Sequence, residues 1–384
     1  MCAARLTSAS LLKASFSLLF MAMLMLPGIG SIWSLDLLPE LAENRSLATS
    51  PAIANLKLHT TKDVADAVKS VENYLMDHFG FRRILIASSK LIRFYALDTS
   101  PSKSVLIGRD GWYYYAAEHN IEAYRGEQPF NRAALKKWAH FFKQVDALAQ
   151  THNISFFFLI APDTPSIYAE YLPRLLGKRN SRNRLDQLLD YMGGKQLTAV
   201  KLVDVRSSLT GKKDSLRLYM KTDSHWNELG AFYATQTLVE TIKQGSPVAH
   251  ELAPLTLDDY SIVAGKQPGG DLATMMGLRN YISEENIHLE PLRGTFSYQG
   301  TPATKTSPET VVTESDAGNS LRVTMFHDTF AGAMLPFMSR AFLRVHYVFQ
   351  RAISVPEIVD DGSQIVVAEI VERSLYSPPP KIAK

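Results

Sequence analysis

Two short stretches of the sequence carry the side chains from which acyl-transfer chemistry can be built. In YMKTDSHWNELGAF, residues 219–232, Asp223 and His225 stand two positions apart. On an extended segment, side chains at that spacing leave the same face. The carboxylate can then hold the imidazole Nδ1–H and leave Nε2 free as a base. Asn227 reads as the N-cap of a helix whose apolar face begins with Leu229, Phe232 and Tyr233. In LRVTMFHDTFAGAMLPFM, residues 321–338, a buried-strand pattern runs into a turn at His327, Asp328 and Thr329, with a helix predicted to start near Gly332. A hydroxyl at the carboxyl end of a parallel strand sits beside a helix N-terminus, whose free N–H groups suit an oxyanion.

Each stretch also has an ordinary structural use. Asp-x-His fits a solvated turn, and Asp328 or Thr329 fits a helix cap. Together they supply a nucleophile, a base and an orienting acid. Thr329 Oγ1 would attack an acyl carbonyl, His225 would take its proton, and Asp223 would stabilise the imidazolium. His327, Asp328 and Asn227 are the candidate substrate or oxyanion contacts. The competing chemistry is a metal centre made from Asp223, His225, His327 and Asp328. Because neighbours on an ideal strand point to opposite faces, His327 and Asp328 are poorly placed to share an ion. No metal or other cofactor is therefore expected.

These segments must be positioned by a sheet. ISFFFLIAP, residues 154–162, is a continuous apolar run ending in proline, the pattern of a parallel strand buried on both faces. Residues 199–205, 321–326 and 364–371 repeat it, with helical patterns around 185–192 and 228–242. Strands alternating with helices predict an α/β fold with a mostly parallel sheet. Residues 131–151 form an amphipathic helix, and SVLIGRDGWYYY, residues 104–115, reads as a hairpin. Residues 61–97 carry helical spacing broken near Gly80. The stretch 254–319 is rich in Gly, Pro, Ser and Thr and is predicted to be an insertion with some β-structure.

Composition narrows the function classes. The sequence has 384 residues, 46% of them hydrophobic, so the chain can bury a large core and is not a disordered polymer. A formal net charge of +3 is too small for a nucleic-acid footprint, and no nucleic-acid partner is expected. The single cysteine, Cys2, excludes an intramolecular disulfide and a thiol redox pair. From Ala14 to Trp33 the chain carries no charge, and Arg5 and Lys13 precede it. About 20 apolar residues span about 30 Å as a helix, a bilayer core's thickness. The region 1–34 is thus predicted to be an uncleaved signal anchor in preference to a cleaved signal peptide, for which Gly28–Ser31 is a poor cleavage site. It would hold the protein in a bacterial inner membrane as a single pass, with the rest in the periplasm. A linker at 35–60, one domain at 61–375 and a short tail at 376–384 complete the expected organisation.

Six ordered motifs then support a likeness. VLIGRDGWYYY, APDTPSIYAEYLP, KTDSHWNELGAF, PGGDLATMMG, MFHDTF and VVAEIVER resemble the bacterial alginate O-acetyltransferase family, an SGNH-hydrolase-like, DHHW-related group. The likeness extends from about residue 65 to 375, and YLMDHFGFRR also fits the family's N-terminal region. It implies a flavodoxin-like three-layer α/β sandwich, an acceptor that is an alginate-like exopolysaccharide, and a membrane-bound O-acyltransferase as the acetyl source. The family's nucleophile is a serine, where this chain has Thr329. A weak or silent polysaccharide-binding scaffold, and an acetyl esterase using the same triad, are the alternatives this leaves.

Overall fold

A computed structural model describes residues 8–32, 46–51, 60–176, 182–303 and 308–383. The chain divides into two compact units, Met1–Pro101 and Ser102–Lys384. In the first, the apolar run expected to be an anchor is helical over Ser8–Ile32. Among the described residues, no helix is long and apolar enough to cross a membrane. Most of the expected linker at 35–60 lies outside the described residues. Two more helices, Thr61–Asp77 and Arg82–Leu91, flank the break at Gly80, with Phe81 left-handed at φ 62°. A capping box between Thr60 and Asp63 opens the first of these. The two helices bury only Ala67 and Ala87. Residues 61–101, expected to open the large domain, therefore belong to the first unit.

The second unit is built on a seven-stranded sheet. The hairpin strands β1 (Val105–Ile107) and β2 (Tyr113–Tyr115) precede it, as the sequence indicates. Then come β3 (Ser155–Ala161), β4 (Val200–Asp204), β5 (Tyr260–Pro268), β6 (Ser283–Pro291), β7 (Phe296–Thr301), β8 (Thr310–Ser315), β9 (Arg322–Phe326), β10 (Arg344–Val348), β11 (Ile353–Ser354) and β12 (Ile365–Val371). The sheet order is β4-β3-β12-β9-β10-β8-β7. Its first five strands run parallel, and β8 and β7 close the edge antiparallel. Counting only the parallel strands along the chain, the order is second, first, fifth, third, fourth. That differs from the flavodoxin order, because β12, the last parallel strand, inserts between the first and third.

Alternation along each strand feeds two cores. Phe157, Leu159 and Ala161 of β3 face one side, where the helix Glu228–Gly245 contributes Leu229, Phe232 and Leu238. Phe156, Phe158 and Ile160 face the other, against Trp138, Phe142 and Val145 of the helix Arg132–Thr151. The result is three layers. The expected insertion at 254–319 divides differently. β5 and β6 form a separate two-stranded ribbon, whereas β7 and β8 extend the main sheet. The sequence also hid β10, which pairs with β8 and β9.

One buried carboxylate sets the register of the β4 side. Asp146 Oδ1 accepts the backbone N–H groups of Thr198, Ala199 and Val200 at 3.0, 2.8 and 3.2 Å. Removing it leaves three N–H groups without their charged acceptor, each worth about 1 kcal/mol or more. Asp146→Ala is expected to lower unfolding free energy by about 3 kcal/mol in urea denaturation. A loss below about 0.5 kcal/mol would show that this anchor does not hold β4.

Candidate active site

The carboxyl ends of the parallel strands β3, β9 and β12 point to one edge, where open α/β sheets bind ligands. Chain leaving β9 enters the turn His327-Asp328-Thr329. Asp328 Oδ1 accepts the Phe330 N–H at 3.0 Å, and Oδ2 accepts the Val371 N–H at 2.8 Å. The turn is thus capped and tied to the end of β12. A 3₁₀ helix, Thr329–Ala333, follows directly, and the α-helix starts at Leu335, later than the expected Gly332. Thr329 is exposed at the head of this turn. Among the described residues, its backbone N–H has no hydrogen-bond acceptor.

The Asp-x-His segment reaches the same edge from another direction. Residues 221–225 form a series of bends, so the extended geometry expected from the sequence is corrected. The two side chains meet because Asp223 Oδ1 accepts both the His225 backbone N–H at 3.1 Å and the Nδ1–H at 2.7 Å. Thr329 Oγ1 then donates to His225 Nε2 across 2.9 Å, over a separation of 104 residues. Asp223, His225 and Thr329 stand in one hydrogen-bonded line. Trp226 fastens the two segments, its Nε1–H donating to the Phe330 carbonyl at 2.9 Å while the His225 ring lies 4.7 Å from that of Phe330. The sequence offered Trp226 only as the residue after the histidine.

A second carboxylate, from the stretch read as an insertion, completes the surroundings of Asp223. Asp271 donates its backbone N–H to Asp223 Oδ2 at 2.8 Å, and its Oδ1 accepts the Ser224 N–H at 2.7 Å. The preceding Gly270 abuts Asp223, where an added Cβ would lie 2.5 Å from the Asp223 side chain. Only glycine allows this approach. Glu284 of β6, 4% exposed, accepts Thr222 N–H at 3.1 Å, Arg217 Nη1–H at 2.9 Å and the Lys221 N–H. The PGGD motif holds Gly270 and Asp271, but nothing in the sequence linked them to Asp223, 48 residues earlier.

Other candidates serve different ends. Asn227 Oδ1 caps its helix by accepting the Gly230 N–H at 3.0 Å, and its amide donates to the Arg217 carbonyl at 2.7 Å. Asn227 is buried, and both bonds serve to cap its helix and hold the neighbouring chain, so the structure gives it a structural use. His327 donates from Nδ1 to the Asp328 carbonyl at 2.8 Å and packs edge-on against Tyr347 and Phe349. The four residues of the metal alternative therefore do not form one cluster. Asp223, His225 and Asp271 offer ligand atoms within 4.8 Å of one another. Two of them, Asp223 and His225, are already joined by the 2.7 Å hydrogen bond, which ligation through those atoms would break.

The electrostatics favour an ionised Asp223 beside a more basic His225. Burial works against the Asp223 anion, yet the hydrogen bond and charge of His225 hold its carboxyl below the ordinary value. Burial likewise opposes a protonated His225, but Asp223 and then Asp271 outweigh it and raise the imidazole above its usual range. Asp271, desolvated and facing Asp223, is pushed up. Beyond β12, Arg373 Nε donates to Glu118 at 3.2 Å and its N–H donates to Asp163 Oδ2 at 2.8 Å. Its guanidinium lies 5.1 Å from the Tyr115 ring centroid and 5.7 Å from that of Phe330. An exposed hydroxyl bonded to an imidazole, a base raised by its acid, and a free N–H beside the hydroxyl can together do acyl transfer.

Comparison with known proteins bears on this arrangement. The family model of the SGNH hydrolase-like domain of the acetyltransferase AlgX matches residues 105–309, which include Asp223, His225 and Asp271 and stop short of Thr329. Among solved structures, PatB1 of Bacillus cereus superposes with a TM-score of 0.51 at 17% identity, covering 71% of this chain and 96% of that one. A DHHW family protein from Eubacterium siraeum gives a TM-score of 0.51 at 15% identity, covering 71% and 94%. The O-acetyltransferase domain of Pseudomonas putida AlgJ gives 0.44 at 18% identity, covering 72% and 93%. The first two share the fold. No curated protein matches the chain. The chain belongs to the SGNH hydrolase-like acetyltransferase family of AlgX.

Proposed function

We propose that this protein is an O-acetyltransferase that moves acetyl groups onto hydroxyls of an exopolysaccharide, using Thr329, His225 and Asp223 as its catalytic triad. The observation that carries the reading is the unbroken hydrogen-bonded line from Thr329 Oγ1 through His225 to Asp223. In the proposed setting, the N-terminal segment holds the protein at a bacterial inner membrane and the catalytic unit faces the periplasm. A membrane-bound O-acyltransferase supplies the acetyl group.

The geometry supports a two-step transfer. Thr329 Oγ1 attacks the donor carbonyl as its proton passes to His225 Nε2, and Asp223 stabilises the imidazolium. The tetrahedral oxyanion forms beside the Thr329 N–H. Collapse breaks the bond to the donor oxygen, which takes the proton from Nε2 and leaves acetyl-Thr329. The acceptor hydroxyl then attacks this ester and gives its proton to His225, and Thr329 departs with that proton. Water attacking in place of the sugar would make the same site an esterase.

Purified full-length protein, an activated acetyl ester and oligosaccharide acceptors test the assignment. Thr329→Ala is expected to reduce acylation by about 10³-fold or more. Equal rates for the two proteins would remove Thr329 from the chemistry. The threonine methyl restricts χ1 and crowds the tetrahedral carbon. Thr329→Ser is therefore expected to acylate about tenfold faster, and a tenfold slower serine variant would show that the methyl orients the hydroxyl.

The pH profile follows from the raised histidine. Only neutral imidazole accepts the Thr329 proton, so acylation should rise with pH through a midpoint above the ordinary histidine value of about 6.5. Asp223→Asn removes the largest influence that raises His225. It should move the midpoint down and cut the plateau by about 10³- to 10⁴-fold. A midpoint unmoved by this substitution would contradict the assigned pairing.

A further inference from the structure

β12 lies inside the sheet with every side chain buried, and one of them is an acid. Glu369 is 1% exposed. Its Oε2 accepts the Asp328 N–H at 3.1 Å, while Oε1 meets no donor. A buried anion with an unpartnered oxygen is costly. The residue whose N–H it accepts, Asp328, carries the carboxyl group that caps the Thr329 turn, and the charge of that group acts on Glu369. Two neighbouring carboxyl groups held out of water are stable when they share one proton.

We propose that Glu369 is a neutral carboxylic acid whose Oε1–H donates to the Asp328 carboxylate, making it a positioning residue for the Thr329 turn. The orphan oxygen is then a donor atom. Through Asp328, the proton fixes the Phe330 N–H and with it the approach of Thr329 to His225. The positioning role rests on the acyl-transfer reading above; the protonation does not.

Charged groups reach this pair from several elements. Asp328 faces Glu369 from the β9 turn and Arg373 from beyond β12. Arg351, His327 and Asp163 act on Asp328 or are acted on by it. Burial and then the Asp328 charge push the Glu369 carboxyl well above its ordinary value. Because the folded value exceeds the unfolded one, the folded state holds an extra proton across that window. This contribution to stability is full below about 4.3, the free glutamate value, and is lost as pH rises toward the folded value. Deprotonation would set two anions against each other under the cap.

Infrared difference spectroscopy of the full-length protein at neutral pH tests the proton directly. Wild type should show a protonated carboxylic-acid carbonyl band that Glu369→Gln lacks and Thr329→Ala keeps. If the Gln substitution removes only an ionised-carboxylate band, the proposal is overturned. Acylation by the activated ester tests the role. Glu369→Gln, which can still donate to Asp328, should acylate within about threefold of wild type and lose any alkaline decline. Glu369→Leu should lose at least tenfold. A Gln variant as slow as the Leu variant would overturn the positioning role. Equal acylation by wild type and Thr329→Ala would overturn the acyl-transfer reading and that role together, while the infrared difference would still decide the proton.

Discussion

An ionised carboxylate held mostly out of water is the element on which the site depends. Asp223 is 8% exposed, and a buried anion persists only where donors replace its hydration. Three N–H groups do so here, from the His225 backbone, the His225 ring and the Asp271 backbone. Those donors come from two segments, so the bends at 221–225 and the stretch around Gly270 must be locked together. Glu284 provides the lock by gathering Lys221, Thr222 and Arg217 onto β6. The β5–β6 ribbon is in this sense the mount for the acid, and the smallness of Gly270 permits the contact.

The sheet mounts the Thr329 hydroxyl separately. Insertion of β12 between β3 and β9 brings the ends of three parallel strands to one edge. Asp328 spans two of them by capping the β9 turn and accepting the Val371 N–H. Trp226 and Phe330 then join the two mounts. Hydrogen bonds across this junction fix a contact between groups 104 residues apart, which backbone geometry near either group cannot fix alone. Such preorganisation is what a proton-transfer step requires.

Much of the sheet was legible because fully buried parallel strands leave continuous apolar runs, as in Ser155–Ala161 and Ile365–Val371. The mixed runs of β7, β8 and β10 were not. β7 is an exposed edge, and β10 alternates in burial at its start. Strand order was also hidden, since pairing of β12 with β3 joins residues about 210 apart and leaves no local signature. At the site, the types and spacing of Asp223, His225 and Thr329 identified residues that do converge. The reason given for the first pair failed, because a bend rather than an extended strand joins them. Asp271 and Glu369 were invisible for a common reason: each acts through a carboxylate distant in sequence. Asn227 caps its helix as its position before the apolar face suggests, and its amide is turned to the Arg217 carbonyl.

Family membership supports acetyl transfer on this scaffold, and Thr329, proposed as its nucleophile, offers a hydroxyl with a methyl that narrows its rotamers. The most direct measurement is peptide mapping by mass spectrometry after the full-length protein is mixed with an activated acetyl ester and quenched in acid. The account predicts an acetyl ester on Thr329, absent when His225 is replaced by alanine. Acetyl found only on other residues, or on Thr329 to the same extent without the imidazole, would contradict it.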